Sequence, residues 1–332
     1  MKATSKILFF ILGLGMFSFL VWKFGVGQIL DNVGRAGWSL VYVIIVWLFV
    51  YLLNTLAWKL SLGEQADRIS YMKLFTVTVS GFVLNYITPI LALGGEPYKV
   101  KALSDSLDPK VSLSAVVLYR MVHLLGHMTM LLVGIILALV ALPLSFVIQG
   151  VLFVIGCGIL SVILLTLAAH RGGIFERLHR FIQRTPLLRK AERYLEKYEG
   201  HLANMDEIIT GVYRNRRGQF YLALFIEFLS RVCMGIEVYL ILHGVGVETS
   251  IASAMFIYVV YSIIINVLFF IPLNLGAREG GLYLGLESLA LPAMMGVYLG
   301  VVMRVREFFW ILLGLIFILL TSNKKETSSA PV

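Results

Sequence analysis

Long apolar runs are the feature that most restricts how this chain can fold. They cover residues 7–21, 40–60, 74–93, 111–142, 146–169, 220–242, 251–273 and 282–320. A helix needs about 20 apolar residues to cross the roughly 30 Å hydrocarbon core of a bilayer, and most of these runs reach that length. Only 14% of the residues are charged, whereas soluble domains carry about 25%. The sequence therefore predicts an all-α polytopic membrane protein and excludes a soluble enzyme.

The positive charges predict which side of the membrane each loop occupies, because cytoplasmic loops carry an excess of Lys and Arg. The longest polar stretch, 170–219, has eleven basic and six acidic residues, and its apolar residues recur at helical spacing. We interpret it as a cytoplasmic loop of basic amphipathic helices. The other main basic clusters reach the same side only if the chain forms two re-entrant hairpins, around 74–93 and 251–291. This topology has about six full crossings, with both termini cytoplasmic, in the cytoplasmic (inner) membrane.

The two predicted hairpins resemble each other in sequence. The first reads N-Y-I-T-P-I-L-A-L-G-G-E-P over residues 85–97, and the second reads N-V-L-F-F-I-P-L-N-L-G-A-R-E-G-G over 266–281. Four pairs of residues keep an offset of 181–184 positions: Asn85 and Asn266, Pro89 and Pro272, Glu96 and Glu279, and Arg120 and Arg304. One hairpin enters from the cytoplasm and the other from outside. We therefore predict an inverted-topology repeat, 39–142 and 220–321, within one domain spanning 1–332.

Glycine and proline supply the helix breaks that such hairpins need. The predicted hairpin-forming residues are Pro89, Gly94, Gly95, Pro272, Gly276, Gly280 and Gly281. An alternative reading is that these residues only shape two tight turns. Two matching hairpins, each with an acid at its turn, favour a functional cavity, because broken helices in inverted repeats form substrate sites near the bilayer midplane.

Charged residues inside the apolar runs indicate where that cavity lies. Each costs at least about 2.5–3.5 kcal/mol on insertion scales, so each needs a partner or a function. Glu227 and Arg231, four residues apart on one helix, can pair locally. An arginine can hold a phosphate through two parallel hydrogen bonds. The predicted substrate-binding residues are Asn85, Glu96, Arg120, Asn266, Arg278, Glu279 and Arg304.

Other reactive residues give weaker signals. His123 and His127 lie one helical turn apart, but no third ligand is evident, so we expect core or cavity histidines and no metal site. Cys157 and Cys233 lie in apolar runs, and we expect no disulfide. The chain has no nucleotide-binding or catalytic motif. We therefore expect neither enzyme activity nor a cofactor, and we attribute the basic charge to topology rather than to a nucleic-acid partner.

The hairpin motifs resemble those of a known family. The segments G-F-V-L-N-Y-I-T-P over 81–89 and G-G-E-P-Y-K-V-K-A-L over 94–103 are similar to the signature of the lysylphosphatidylglycerol synthase transmembrane-region family, and P-L-N-L-G-A-R-E-G-G over 272–281 resembles its partner motif. The resemblance covers nearly the whole chain. It implies lipid translocation between leaflets, with Glu96, Arg120, Glu279 and Arg304 at matching positions.

That family contains the flippase portion of the lysyl-phosphatidylglycerol synthase/flippase and stand-alone relatives, some of them associated with hopanoid biosynthesis. This chain carries no soluble aminoacyl-transferase domain, so we expect no lipid synthesis by this protein alone. Its expected partners are membrane lipids, a lipid-modifying enzyme and a second copy of the chain. The predicted function is a lipid flippase that moves an anionic or lipid-linked lipid through a central polar cavity.

Two other functions stay open. The protein could be a non-catalytic membrane subunit that presents a lipid to a partner transferase. It could also be a proton-coupled transporter of a soluble substrate, with Glu96 and Glu279 carrying the protons.

Cysteine labelling tests the predicted topology. Single cysteines placed near Lys99 should react with a membrane-impermeant reagent from the cytoplasm, and those near Val26 from outside, because charge bias assigns these segments to opposite faces. The background protein would have Cys157 and Cys233 replaced. External labelling near Lys99 would contradict the hairpin topology.

Overall fold

A computed structural model describes residues 37–87, 94–170, 217–269, 271–274 and 276–327, together with Gly27 and Gly34. Over these ranges the chain forms helices and turns but no strand, which confirms the all-α prediction. The helices are α1 (Trp38–Ser61), α2 (Tyr71–Ile87), α3 (Gly95–Leu103), α4 (Pro109–Ala141), α5 (Phe146–His170), α6 (Arg217–Gly244), α7 (Ile251–Val267), α8 (Ala277–Glu287) and α9 (Met295–Thr327). Short 3₁₀ turns, Gly63–Arg68 and Pro272–Asn274, precede α2 and α8.

Several sequence predictions fall outside the described residues. They are the first apolar run at 7–21, most of the basic loop (171–216), and Pro89 with the rest of the first break (88–93).

Helix length and composition support a membrane location. Within the described ranges, three helices are long and apolar enough to cross a bilayer: α1, α4 and the segment Phe146–Leu167 of α5. Two further helices, α6 and α9, have 28 and 33 residues, which is about 42 and 50 Å at 1.5 Å per residue. They are long enough to span but carry more charge. Only 11% of the apolar span of α5 is buried, so most of this helix offers the apolar surface that lipid contact requires.

The helices follow one order twice. A helix of 24 or 28 residues (α1, α6) is followed by one of 17 residues (α2, α7), then by a short helix of 9 or 11 residues (α3, α8) and a helix of 33 residues (α4, α9). In both sets the 17-residue helix packs against the short helix that follows it. Between the sets, α1 and α6 pack together most extensively.

Glycine permits two further close contacts between the sets. A Cβ atom on Gly134 of α4 would lie 2.5 Å from Val259 Cγ2 of α7. A Cβ atom on Gly314 of α9 would lie 2.5 Å from Val83 Cγ2 and 3.2 Å from the Val79 carbonyl oxygen of α2. Small residues let membrane helices approach this closely. Each 33-residue helix therefore packs on the 17-residue helix of the other set.

These contacts predict that larger side chains will destabilise the fold. Gly134→Leu and Gly314→Leu should each lower the free energy of unfolding by about 1–3 kcal/mol, the usual cost of overpacking. Thermal unfolding of the purified protein in detergent would show lower midpoints. Gly158→Leu is the matched control, because Gly158 on α5 has open space around its Cα. Equal midpoints for all three variants would contradict the packing.

Candidate functional site

Asn85, near the end of α2, contacts the start of α3. The backbone N–H of Gly95, at the start of α3, donates to Asn85 Oδ1 over 2.7 Å, and Asn85 Nδ2 donates to Glu96 Oε1 over 3.4 Å. A Cβ atom at Gly95 would lie 2.2 Å from the Gly81 carbonyl oxygen, so only glycine fits there. Glu96 is thus placed at the N-terminus of α3, where the helix dipole favours an acid.

The start of α8 also carries an acid in its first turn, but the backbone before this helix has a different conformation. Leu273 and Asn274 have φ values of 57° and 52°, and Gly276, just before α8, has φ 79°. Glycine adopts this left-handed conformation without strain. The Gly276 N–H donates to Glu279 Oε2 over 2.9 Å, so Glu279 caps α8. Farther along α8, a Cβ atom at Gly281 would lie 2.9 Å from Tyr261 Cα, whereas Gly280 has open space.

The acid in the first turn of each short helix, Glu96 of α3 and Glu279 of α8, contacts an arginine on the 33-residue helix that follows. Arg120 Nη1 lies 3.7 Å from Glu96 Oε1, which Lys99 Nζ also contacts at 3.2 Å. Arg304 donates to Glu279 Oε1 through Nη2 at 2.8 Å and through Nε at 3.2 Å. The two arginines differ in exposure, because 43% of the Arg120 side chain is exposed but only 1% of the Arg304 side chain. Arg304 is firmly held, whereas Arg120 is loosely held.

Two further ion pairs are buried between helices. Arg278 Nη2 lies 2.8 Å from Glu307 Oε1, and Arg306 Nη2 lies 2.9 Å from Glu237 Oε1. Tyr86 OH donates to Glu307 Oε2 over 3.0 Å, and Trp47 Nε1 donates to Glu237 Oε2 over 2.8 Å. These bonds join α1, α2, α6, α8 and α9. Arg278, predicted to bind substrate, is therefore engaged in a buried pair.

A cavity of about 720 Å³ lies between α1, α2, α3, α4, α6, α7 and the second break. Three of the predicted binding residues line it: Asn85, Arg120 and Asn266. Its basic lining residues are Lys99, Arg120 and Arg231, and none of the described residues in its wall is acidic. A smaller cavity of about 290 Å³ shares several of these wall residues, including Arg120, Arg231 and Asn266.

The other predicted residues lie behind this wall. We expected Glu96, Arg120, Glu279 and Arg304 to face one cavity, but among the described lining residues only Arg120 does so. Glu96 reaches the wall through its contacts with Asn85 and Arg120. Arg304 also donates to the Leu273 carbonyl oxygen over 3.3 Å, and Leu273 lines the larger cavity. Arg304 pairs with Glu279, and Arg278 pairs with Glu307. Because both arginines are buried in these pairs, neither faces the cavity.

Sequence reasoning did not identify a polar cluster in the cavity wall. His123 Nδ1 lies 2.9 Å from Glu227 Oε2, and Arg231 Nη2 contacts His123 Nε2. His127 Nε2 lies 3.2 Å from Asn266 Nδ2. The spacing of Glu227 and Arg231 had suggested a local pair on α6, whereas both side chains contact His123 of α4. The four-residue spacing of His123 and His127 was the one available signal that they share a face.

The difference between Arg304 and Arg120 predicts different effects on stability. Arg304→Gln should lower the free energy of unfolding by roughly 3–5 kcal/mol, because it breaks a buried pair. Arg120→Gln should cost no more than about 1 kcal/mol, since the pair is half exposed and Glu96 keeps Lys99 as a partner. Chemical unfolding in detergent, followed by tryptophan fluorescence, measures both. Equal losses would contradict the assigned environments.

Comparison with known proteins identifies the family. The chain has no match among curated proteins or among solved structures. The family model described as "Lysylphosphatidylglycerol synthase TM region" matches residues 6–314. This span includes both acid–arginine pairs and the residues that line the cavity, and the family implies a function related to membrane lipids. The chain belongs to the lysylphosphatidylglycerol synthase transmembrane-region family.

Proposed function

We propose that this protein is a lipid transporter that moves an anionic phospholipid between the leaflets of the cytoplasmic membrane. The observation that carries the proposal is the basic wall of the larger cavity, formed by Lys99, Arg120 and Arg231. Arg120 contributes most, because its side chain is 43% exposed and its contact with Glu96, at 3.7 Å, is longer than a hydrogen bond. Its guanidinium N–H groups are therefore available to a phosphate oxygen.

The size and composition of the cavity suit a lipid headgroup. Ligand pockets usually enclose about 300–1,000 Å³, and the larger cavity measures about 720 Å³. Besides its basic residues, its wall contains Trp47, Tyr51 and Phe82, which offer apolar surface beside polar groups. A phosphate with its glycerol would bind at the arginines, while the acyl chains stay in the bilayer.

Matched contacts in the two halves support an inverted repeat, 39–142 and 220–321. Gly134 packs on Val259, and Gly314 packs beside Val79. Each contact joins the 33-residue helix of one half to the 17-residue helix of the other half. At 1.5 Å per residue, the helices of 17, 9 and 11 residues span about 26, 14 and 17 Å. They fall short of the roughly 30 Å hydrocarbon core, as re-entrant hairpins would.

The proposal includes a direction for each hairpin and a transport cycle. The first hairpin would enter from the cytoplasm and the second from outside, with about six full crossings and both termini cytoplasmic. Inverted repeats of this kind allow alternating access, in which a central site opens to one side and then the other. The protein would itself be non-catalytic, with membrane lipids as partners and a lipid-modifying enzyme acting before or after it.

A transport assay tests the function. Protein in liposomes should move fluorescent phosphatidylglycerol between leaflets, measured by chemical quenching of the outer leaflet. Arg120→Gln, alone or with Glu96→Gln, should lower the rate about tenfold or more, because each charge-assisted hydrogen bond contributes about 1.5–3 kcal/mol. Lys110→Gln makes the same charge change at the exposed start of α4 and should transport like the parent.

Three results would contradict the proposal. One is undiminished translocation in both Arg120 variants, shown to be folded. Another is equal movement of fluorescent phosphatidylcholine, whose headgroup has no net charge. The last is uptake of radiolabelled inorganic phosphate without lipid movement, which would assign the cavity to a soluble anion.

A further inference from the structure

His123 lies between an acid and an arginine in the wall of the larger cavity. Its Nδ1 lies 2.9 Å from Glu227 Oε2, and its Nε2 contacts Arg231 Nη2. Glu227 is fully buried, whereas 25% of the His123 side chain is exposed. The cavity can therefore supply His123 with a proton, while Glu227 cannot be reached from it directly.

The two neighbours determine the protonation state of the imidazole. A guanidinium can only donate hydrogen bonds, so Nε2 must present a lone pair to Arg231. Arg231 Nη2 also lies 3.2 Å from Nδ1, but a carboxylate accepts hydrogen bonds, so the 2.9 Å approach of Glu227 Oε2 favours a hydrogen on Nδ1. The contacts therefore fit a neutral His123 with its hydrogen on Nδ1. In this state the contact with His123 holds the Arg231 guanidinium in the cavity wall.

Protonation would rearrange these partners. A proton taken from water in the cavity would form an N–H bond at Nε2, and the hydrogen bond from Arg231 would be lost. The imidazolium would then neutralise Glu227 through Nδ1–H, so the charge of Arg231 would no longer be needed there. Arg231 lines the same cavity as Arg120, so its released guanidinium would be able to bind an anionic group in that cavity.

We propose that His123 is a proton-dependent positioning residue, which releases Arg231 to join Arg120 in binding the lipid phosphate. The inference rests on the proposed function and adds a source of energy to it. One proton would bind with each anionic headgroup, so the net charge of the site would not change on loading. A charge-neutral load matters because net charge is costly within the membrane. A proton gradient could then drive lipid movement.

Other titratable and charged groups face this site from the surrounding helices. They are Tyr51 on α1, Tyr86 on α2, Lys99 on α3, Tyr119, Arg120 and His127 on α4, Glu227, Arg231 and Glu237 on α6, Tyr258 and Tyr261 on α7, and Arg306 and Glu307 on α9. Imidazole is the side chain whose charge ordinarily changes between about pH 5 and 8. Of the two histidines, His123 alone contacts both an acid and an arginine among the described residues, whereas His127 contacts Ser262 and Asn266.

Proton uptake on lipid binding tests the proposal directly. Short-chain phosphatidylglycerol would be titrated calorimetrically into the whole protein in a non-ionic detergent at pH 7.5. Two buffers with different ionisation enthalpies give the number of protons taken up. The parent should take up about one proton per lipid, because His123 is neutral before binding and an imidazolium in the loaded site. Measured between pH 6 and pH 8, its affinity should therefore fall about tenfold for each unit that the pH rises.

His123→Gln should still bind the lipid through Arg120, but without proton uptake and with an affinity that does not depend on pH. His243→Gln is the matched control, because His243 is exposed near the end of α6, outside both cavities; it should take up the proton as the parent does. If His123→Gln does not fold, Arg231→Gln decides. Without the guanidinium, Nε2 is already free, so lipid binding should no longer be linked to a proton.

The outcomes separate this inference from the proposed function. Lipid binding by the parent without proton uptake would overturn the role of His123 and leave the lipid site in place. Uptake that persists in His123→Gln would do the same. No binding of phosphatidylglycerol by the parent at either pH would overturn the proposed function, and this inference with it.

Discussion

The cost of placing charge inside a membrane determines much of this structure. A charged side chain there needs a partner, and breaking a buried pair costs several kcal/mol. The strongest pairs join different helices: Arg278 of α8 with Glu307 of α9, and Arg306 of α9 with Glu237 of α6. Because each bond needs two helices in register, the charges specify how the helices assemble. Apolar packing alone would not do so, since lipid tails are as apolar as leucine.

The candidate site is the place where this pairing is least complete. Arg304 makes two short hydrogen bonds to Glu279 and is almost fully buried. Arg120 lies farther from Glu96, shares that acid with Lys99 and faces the cavity. An acid–arginine contact occurs in both places, but its energetic role differs. A pair that is already satisfied stabilises the fold, whereas a loosely held arginine can exchange its carboxylate for a phosphate at little cost.

The spacing of residues along the chain related the two acid–arginine pairs to each other, but it could not predict the partners of Arg278 and Arg231. The apolar runs predicted the helices, and the 183–184 residue offsets related Glu96 and Arg120 to Glu279 and Arg304, which form two acid–arginine contacts in the structure. Offsets relate residues along the chain but do not show which way a side chain points. Arg278 was therefore assigned to the substrate site, although it pairs with Glu307. Arg231 was assigned to a local pair with Glu227 because His123, which contacts both, lies on another helix 104 and 108 residues away.

The different exposures of Arg120 and Arg304 suit the proposed transport cycle. If an inverted repeat changes access by exchanging the conformations of its halves, then a loosely held arginine in one half must become tightly held as the other is released. In each state of the cycle, one of the two arginines, Arg120 or Arg304, would be exposed and the other would be buried. The contacts of Gly134 with Val259 and of Gly314 with Val79 cross between the halves. Because each joins a 33-residue helix to the 17-residue helix of the other set, both could persist during such a movement and would be suitable pivots for it.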